Sequence, residues 1–208
     1  MTEGEPQIIH LLALGWVLLC WIGYTAPFVL RKRPPKTPER KRDRTSLVGI
    51  ALQSVAYALV WSVRRPLGTP LVSLGPAWDW IGPVLVMLLG SVSVWMVGAA
   101  VWALGKQWSF AARLTEGHLL VQEGPYRIVR HPIYSAMGGM LLATGLALSR
   151  WVAILPGLIF FGIGTAIRIR SEEKLLKEAF GSEFDAYVRR VGAVLPRLAL
   201  REDPSYPC

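Results

Sequence analysis

Residues 133–167 read IYSAMGGMLLATGLALSRWVAILPGLIFFGIGTAI, with one charged side chain, Arg150, at the centre. The uncharged runs on either side, residues 133–149 and 151–167, are each 17 residues long. A helix needs about 20 apolar residues to cross the hydrocarbon core of a bilayer, and about 17 is the lower end of the range. The stretch therefore predicts two short transmembrane helices in a tight hairpin, with Arg150 reaching the membrane surface. A re-entrant hairpin is the alternative for this pair.

Three longer uncharged runs precede the hairpin, at residues 8–30, 45–63 and 80–105. They are continuous and lack the period-two alternation that is typical of a transmembrane β-barrel. The predicted fold class is therefore all-α: a polytopic membrane protein of about five transmembrane helices, followed by short cytosolic C-terminal helices. Residues 1–105 would form three N-terminal transmembrane helices with a basic cytosolic loop at residues 31–44. Residues 106–208 would combine a cytosolic loop, the hairpin and a charged tail.

The basic residues predict the orientation in the membrane. Twenty of the 23 Lys and Arg lie in residues 31–44, 106–130 and 168–208. The other three lie between the remaining spans: Arg64, Arg65 and Arg150. The positive-inside rule places the richly basic segments and the C-terminus in the cytoplasm and the N-terminus outside. The membrane would be the inner or plasma membrane of a bacterium, or the endoplasmic reticulum of a eukaryote.

Composition argues against two classes of function. The net charge of +9 is concentrated beside the predicted spans, where anionic head groups account for it, so no nucleic-acid partner is expected. Two cysteines, Cys20 and Cys208, are too few for a disulfide framework or a four-cysteine metal site, and no metal is expected.

The first group of candidate functional residues is EGPYRIVRHPIY, residues 123–134. The Gly-Pro pair at 124–125 predicts a turn, and Pro132 is suited to the first position of the fourth helix because it needs no N–H there. His131 would then lie at a helix N-terminus on the membrane surface, where free N–H groups and the nearby Arg130 favour an anionic ligand. A basic cluster that merely holds lipid head groups is the alternative.

The second group is RIRSEE, residues 168–173, which leaves the fifth span. Two hairpin spans of similar length must end at similar depth, so Glu172 and Glu173 are expected to return to the surface that carries His131. Carboxylates beside Arg and His stay ionised and can bind an amine or ribose hydroxyls.

The third group lies in the tail, at residues 180–196. Residues 170–190 alternate charged and apolar side chains at close to helical spacing, and Gly181 interrupts them. Two short helices are therefore predicted. Residues 180–196 would form an amphipathic helix and then a turn, and would act as a lid or tether that packs on the site.

These three groups, in this order, resemble the isoprenylcysteine carboxyl methyltransferase family. The matching residues are GPYR and RHPIY within 124–134, the pair Glu172-Glu173, and FG, Tyr187, RV and LP within 180–196. The related phospholipid methyltransferases share the first two groups. The resemblance covers residues 115–197.

The resemblance implies a membrane enzyme that uses S-adenosylmethionine to methylate a carboxyl, amine or thiol of a lipid-like or isoprenoid-type acceptor at the cytosolic face. Its partners would be membrane lipids and a lipophilic or lipidated substrate, and residues 106–208 would be the catalytic half that forms the cofactor pocket. The residues with implied catalytic roles are Arg130, Glu172 and Glu173. The residues with implied cofactor contacts are Tyr126, His131, Pro132, Tyr134, Glu172, Glu173, Tyr187 and Arg190.

Two other functions remain open from the sequence. An NADPH-dependent membrane reductase of the sterol-reductase type has a similar C-terminal half, although those enzymes are longer and have more spans. A non-catalytic membrane scaffold is the second alternative. The spans carry few polar side chains, such as Gln53, which argues against a transporter. Gly162 and Gly164 in the fifth span predict close helix packing.

Overall fold

The structure is a computed structural model that describes residues 5–30, 39–72, 75–105, 113–115 and 119–197. The helices in this part of the chain are α1 (Glu5–Leu30), α2 (Thr45–Ser62), α3 (Pro76–Leu104), α4 (Pro132–Leu148), α5 (Trp151–Phe180) and α6 (Ser182–Arg190). The short strands β1 (Glu39–Arg42) and β2 (Arg113–Thr115) pair antiparallel. The all-α prediction is confirmed, with this two-stranded ribbon as a small addition. Residues 31–38 of the predicted basic loop lie outside the described residues.

Four helices are long and apolar enough to cross a membrane: α1, α2, α3 and α5. The shorter α4 has 17 residues, which is about 25 Å of helix. It joins α5 through Ser149 and Arg150, so the predicted hairpin is present and turns at the predicted place.

Helix α5 extends further than the sequence predicted. It runs for 30 residues without interruption, through the charged segment 168–173 and on to Phe180. The segment after the apolar run consists of good helix formers such as Arg, Glu, Lys, Leu and Ala, with no Gly or Pro before Gly181, so nothing ends the helix earlier. The predicted break at Gly181 is confirmed, and its φ of 52° is one that glycine adopts readily. The first of the two predicted tail helices is thus the end of α5, and the second is α6.

The helices form two groups. Helix α3 packs against both α1 and α4, whereas α2 packs mainly against α5. A Cβ atom on Gly49 of α2 would lie 2.6 Å from the carbonyl oxygen of Gly164, so the two backbones touch where these helices cross. The predicted close packing is therefore confirmed for Gly164. It is wrong for Gly162, which is exposed and has no neighbouring atom within 4 Å of a Cβ.

Aromatic side chains of α1 and α2, one from each group, both form hydrogen bonds to α4. Trp21 of α1 donates from Nε1 to Thr144 Oγ1 at 3.1 Å, and Tyr57 of α2 donates to the carbonyl oxygen of Met137 at 2.7 Å. The rings of Trp21 and Tyr57 also meet edge to face, with centroids 5.5 Å apart. Each ring thus buries its apolar body while its polar tip finds a partner.

The hairpin turn is fixed by one buried arginine. The guanidinium of Arg65 donates to the carbonyl oxygens of Leu146 at 2.5 Å, Ala147 at 2.9 Å and Ser149 at 2.6 Å. These belong to the C-terminal end of α4, where backbone carbonyls lack helical partners. Arg65 also donates to Thr69 at 2.8 Å, which ties its own loop to the turn. A cation at a helix C-terminus also interacts favourably with the helix dipole.

We expect Arg65→Ala to lower the free energy of unfolding by about 2–4 kcal/mol, because hydrogen bonds to a charged donor are lost and buried carbonyls are left unpaired. Thermal unfolding in detergent measures the loss. The matched control is Arg64→Ala, which removes the neighbouring exposed guanidinium. Equal losses in the two variants would show that Arg65 does not hold the turn.

Candidate active site

The polar cluster predicted from the sequence forms where α4 begins and the charged part of α5 passes it. Five side chains make up this group, which we call the carboxylate cluster: Arg130, His131, Tyr134, Glu172 and Glu173. Arg130 and His131 come from the segment before α4, Tyr134 from its first turn, and the two glutamates from α5.

The local backbone geometry places His131 in the carboxylate cluster. A 3₁₀ turn spans Gly124–Arg127, starts at a φ of 57° that favours glycine, and buries Pro125 and Tyr126. Helix α4 then begins at Pro132, with His131 as its N-cap residue. The predicted turn and the predicted helix start are both confirmed.

Arg130 and Glu173 form the central ion pair. The Nε and Nη2 atoms of Arg130 lie 2.9 and 2.7 Å from the same oxygen, Glu173 Oε1. The remaining nitrogen, Nη1, donates to the carbonyl oxygens of Val188, at 3.4 Å, and Val191. The guanidinium therefore binds α5 and the end of α6 at the same time.

His131 lies between the two carboxylates. Its Nε2 is 3.1 Å from Glu173 Oε1, and its Nδ1 is 3.4 Å from Glu172 Oε2. Burial alone would lower the pKa of His131, but hydrogen bonds and charge interactions with Glu172 and Glu173 outweigh it and hold the pKa above the usual 6.5. The pair of glutamates thus favours an imidazolium at this position.

Tyr134 and Glu172 form the second half of the cluster. The Tyr134 hydroxyl donates to Glu172 Oε1, and its ring stacks on that of His131 with centroids 5.7 Å apart. The guanidinium of Arg168 lies 4.8 Å above the Tyr134 ring, and its Nη2 is 3.9 Å from Glu172 Oε1. Each glutamate therefore has its own arginine: Arg130 for Glu173 and Arg168 for Glu172.

The chain after α6 pairs through hydrogen bonds with the segment that carries Arg130 and His131. We call residues 191–194 the tail strap. The amide N of Arg130 donates to Gly192 O at 2.8 Å, and that of His131 donates to Ala193 O at 2.9 Å. Ser135 Oγ donates to Val194 O at 2.6 Å. The predicted tether over the site is present, and it pairs directly with the segment that carries Arg130 and His131.

Tyr126 and Tyr187 join the 3₁₀ turn to α6. The Tyr187 hydroxyl donates to the carbonyl oxygen of Tyr126 at 2.7 Å, and both rings are buried. Burial raises the pKa of Tyr187 to about 12, so the phenol keeps its proton and can donate. Pro132 is fully buried at the start of α4.

Arg190 lies apart from the carboxylate cluster. It is exposed, and its Nη2 donates to Gln122 Oε1 at 3.0 Å on the outer surface of α6. Its cofactor contact remains a prediction from the resemblance.

Two polar residues next to the cluster were given no catalytic or cofactor role from the sequence, although Arg168 belongs to the second candidate group. Arg168 donates from Nη1 to Gln53 Oε1 at 3.0 Å, and Gln53 in turn donates from Nε2 to Thr165 Oγ1 at 2.9 Å. The available signal was a lone glutamine in an apolar run, because polar side chains inside a span usually have a partner or a function. Across the described ranges, no group of three His, Cys, Asp or Glu is placed to hold a metal ion.

Comparison with known proteins finds similarity over the segment that carries this cluster. The family model of phospholipid methyltransferases matches residues 81–183, which include most of α3, the cluster and all of α4 and α5. The match covers 103 of the chain's 208 residues. The chain is also 34% identical over 84 residues to the protein-S-isoprenylcysteine O-methyltransferase B of Arabidopsis thaliana, which covers 40% of the chain and 43% of that protein. The resemblance found in the sequence is thereby confirmed.

Two further relatives of the chain have other names. The cobalt-zinc-cadmium resistance protein CzcN of Cupriavidus metallidurans is 30% identical over 131 residues, which are 59% of this chain and 55% of that protein. The nickel-cobalt-cadmium resistance protein NccN of Alcaligenes xylosoxydans is 34% identical over 137 residues, 62% of this chain and 59% of that protein. The match spans little more than half the length of these curated relatives.

We expect His131 to titrate above 6.5 in the folded protein. A raised pKa means that the stabilisation by the imidazolium is present in full below the unfolded-state pKa of about 6.5, and is lost as the pH rises through the folded-state pKa. The difference in unfolding temperature between the wild type and His131→Gln should therefore be larger near pH 6 than near pH 9, since the glutamine carries no charge. Thermal unfolding at a series of pH values measures it. A difference in unfolding temperature that does not change with pH would contradict the ion pairs of His131 with Glu172 and Glu173.

Proposed function

We propose that this protein is an S-adenosylmethionine-dependent membrane methyltransferase that acts on a lipid-like acceptor at the cytosolic face. The observation that carries the proposal is the carboxylate cluster, which lies at the start of α4 within the segment that the phospholipid methyltransferase family model matches. The acceptor group would be a carboxyl, an amine or a thiol on a lipophilic or lipidated molecule. The acceptor would reach the site from the surrounding membrane lipids.

The chemistry of the cluster fits the cofactor. Glu172 and Glu173 are each about one-quarter exposed, so their oxygens can accept hydrogen bonds from an amino group or ribose hydroxyls. The described contacts of Glu173 with Arg130 and His131 both use Oε1. Oε2 is therefore the oxygen that we assign to the cofactor. When bound, S-adenosylmethionine supplies an electrophilic methyl group on a sulfonium centre.

The protein side chains would act mainly by binding and positioning, which can account for much of the rate of a group transfer. Arg130 keeps Glu173 ionised and fixes its direction, and it also holds the carbonyl of Val191. His131 and Tyr134 orient the two carboxylates through their hydrogen bonds to Glu173 and Glu172. The tail strap, bound to the backbone of Arg130 and His131, would exclude water from this side of the site.

Direct cofactor binding tests the proposal. The purified protein is titrated in detergent with S-adenosylhomocysteine, the product form of the cofactor, and separately with NADPH. We expect binding of S-adenosylhomocysteine alone. Binding of NADPH alone would establish the reductase alternative, and binding of neither would favour the scaffold.

Three variants test the site itself: Arg130→Ala, Glu172→Gln and Glu173→Gln. We expect each to raise the Kd for S-adenosylhomocysteine about tenfold or more, since a charged hydrogen bond contributes about 1.5–3 kcal/mol. The matched control is Arg127→Ala, which removes an exposed arginine three residues before Arg130. Affinities in the three variants equal to that of the control would remove these residues from the cofactor site.

The orientation is tested by single cysteines in a protein whose native cysteines are replaced. Leu67 is exposed in the α2–α3 connection and Ser182 is exposed at the start of α6. We expect Leu67→Cys to react with a membrane-impermeant maleimide in intact cells, and Ser182→Cys to react only after permeabilisation, because of the positive-inside rule. The reverse pattern would place the carboxylate cluster on the non-cytosolic face.

A further inference from the structure

A glutamine in the membrane-spanning part of α2 forms hydrogen bonds to α5 next to the carboxylate cluster. Gln53 is 2% exposed, and the two ends of its amide are used differently. Nε2 donates to Thr165 Oγ1 at 2.9 Å, and Oε1 accepts from Arg168 Nη1 at 3.0 Å. The amide therefore has one defined orientation, with its acceptor facing the arginine.

The arginine that Gln53 contacts lies at the junction of apolar and polar surroundings. Arg168 is the first charged residue after the uncharged run of α5, and it is buried. A buried guanidinium is costly unless it is paired and hydrogen-bonded, so its position depends on its partners. Described partners surround it: Gln53 on one side, the Tyr134 ring 4.8 Å away, and Glu172 one helical turn further along α5.

The crossing of α2 and α5 places Gln53 opposite this arginine. A Cβ on Gly164 would lie 2.7 Å from the carbonyl oxygen of Gly49 and 3.1 Å from Cγ of Gln53. A Cβ on Gly49 would lie 2.5 Å from Cγ of Arg168. The backbones touch at the level of the polar contact, so Gln53 has little freedom to move away.

A continuous series of contacts leads from Gln53 to the carboxylate cluster. Arg168 Nη2 lies 3.9 Å from Glu172 Oε1, and the same oxygen accepts the Tyr134 hydroxyl. The other oxygen of Glu172 lies 3.4 Å from His131 Nδ1. If Arg168 lost Gln53, its guanidinium would be drawn toward the nearest carboxylate, Glu172, and would compete with Tyr134 and His131 for it.

We propose that Gln53 is a positioning residue that holds Arg168 at a distance from Glu172, so that Glu172 keeps the geometry required to bind the cofactor. The expected effect on cofactor binding rests on the proposed function. The effect of Gln53 on the position of Arg168 does not depend on that function. Helix α2 lies outside the segment that the family model matches. The site is then completed by the N-terminal half of the chain, and residues 106–208 do not suffice for it.

The test uses the full-length protein with Gln53→Met, which keeps the length of the side chain but removes both polar atoms. We expect the Kd for S-adenosylhomocysteine to rise about tenfold, while Gln53→Glu, which keeps an acceptor for Arg168, stays within about threefold of the wild type. The matched control is Ser54→Ala, because Ser54 is exposed and bonds only to Ile50 of its own helix among the described residues.

A second readout needs no cofactor. His131 faces Glu172 and Glu173 from α5, Tyr134 from α4 and the preceding Arg130, while the tail strap offers it a backbone carbonyl. If Glu172 is drawn toward Arg168 in Gln53→Met, the pKa of His131 measured by NMR should fall relative to the wild type. The spectrum of His131→Gln assigns the signal.

The outcomes separate the two proposals. A fall in the pKa of His131 in Gln53→Met but not in Ser54→Ala supports the positioning role, even if the wild type binds no S-adenosylhomocysteine and the proposed function fails. An unchanged pKa of His131 and an unchanged Kd would overturn the positioning role. If Gln53→Met does not fold, Gln53→Asn is measured instead, because its amide is one methylene too short to reach Arg168 and should give the same result.

Discussion

Two adjacent carboxylates in a partly buried place must each find cations or hydrogen-bond donors, because an unpaired charge there is costly. In this protein that requirement is met by separate parts of the chain. Glu173 binds Arg130 and His131 from the segment before α4, and Glu172 binds Tyr134 from the first turn of α4. The start of α4, the charged part of α5 and the tail strap are therefore mutually dependent. Loss of the Arg130–Glu173 ion pair would remove one of the contacts that join all three.

Much of this arrangement could be predicted from the sequence because it follows from lengths and local chemistry. The equal uncharged runs around Arg150 predicted the hairpin, and the hairpin brought Glu172 and Glu173 back to His131. Pro132 marked the start of α4, and Gly181 marked the end of α5, since each residue type has a strong local backbone preference. The length of α5 was underestimated because a change from apolar to charged residues ends a membrane span but does not end a helix.

The remaining contacts could not be predicted because they depend on how distant segments cross. Nothing local indicates that Gly192 and Ala193 accept hydrogen bonds from Arg130 and His131, or that Arg65 binds the end of α4 some 80 residues later. Gln53 was visible as an isolated polar residue, but its partner depends on the contact between Gly49 and Gly164. The family match likewise begins after α2, so similarity to known methyltransferases gives no indication of its role.

The unbroken course of α5 has a mechanical consequence. The part beyond its apolar run is about 20 Å long, so a change in tilt of about 10° would displace its far end by about 3 Å. Transmembrane helices adjust their tilt to the thickness of the surrounding hydrocarbon layer. Helix α5 carries Glu172 and Glu173, whereas His131 belongs to the shorter α4. A change in the tilt of α5 would therefore alter the spacing between these carboxylates and His131.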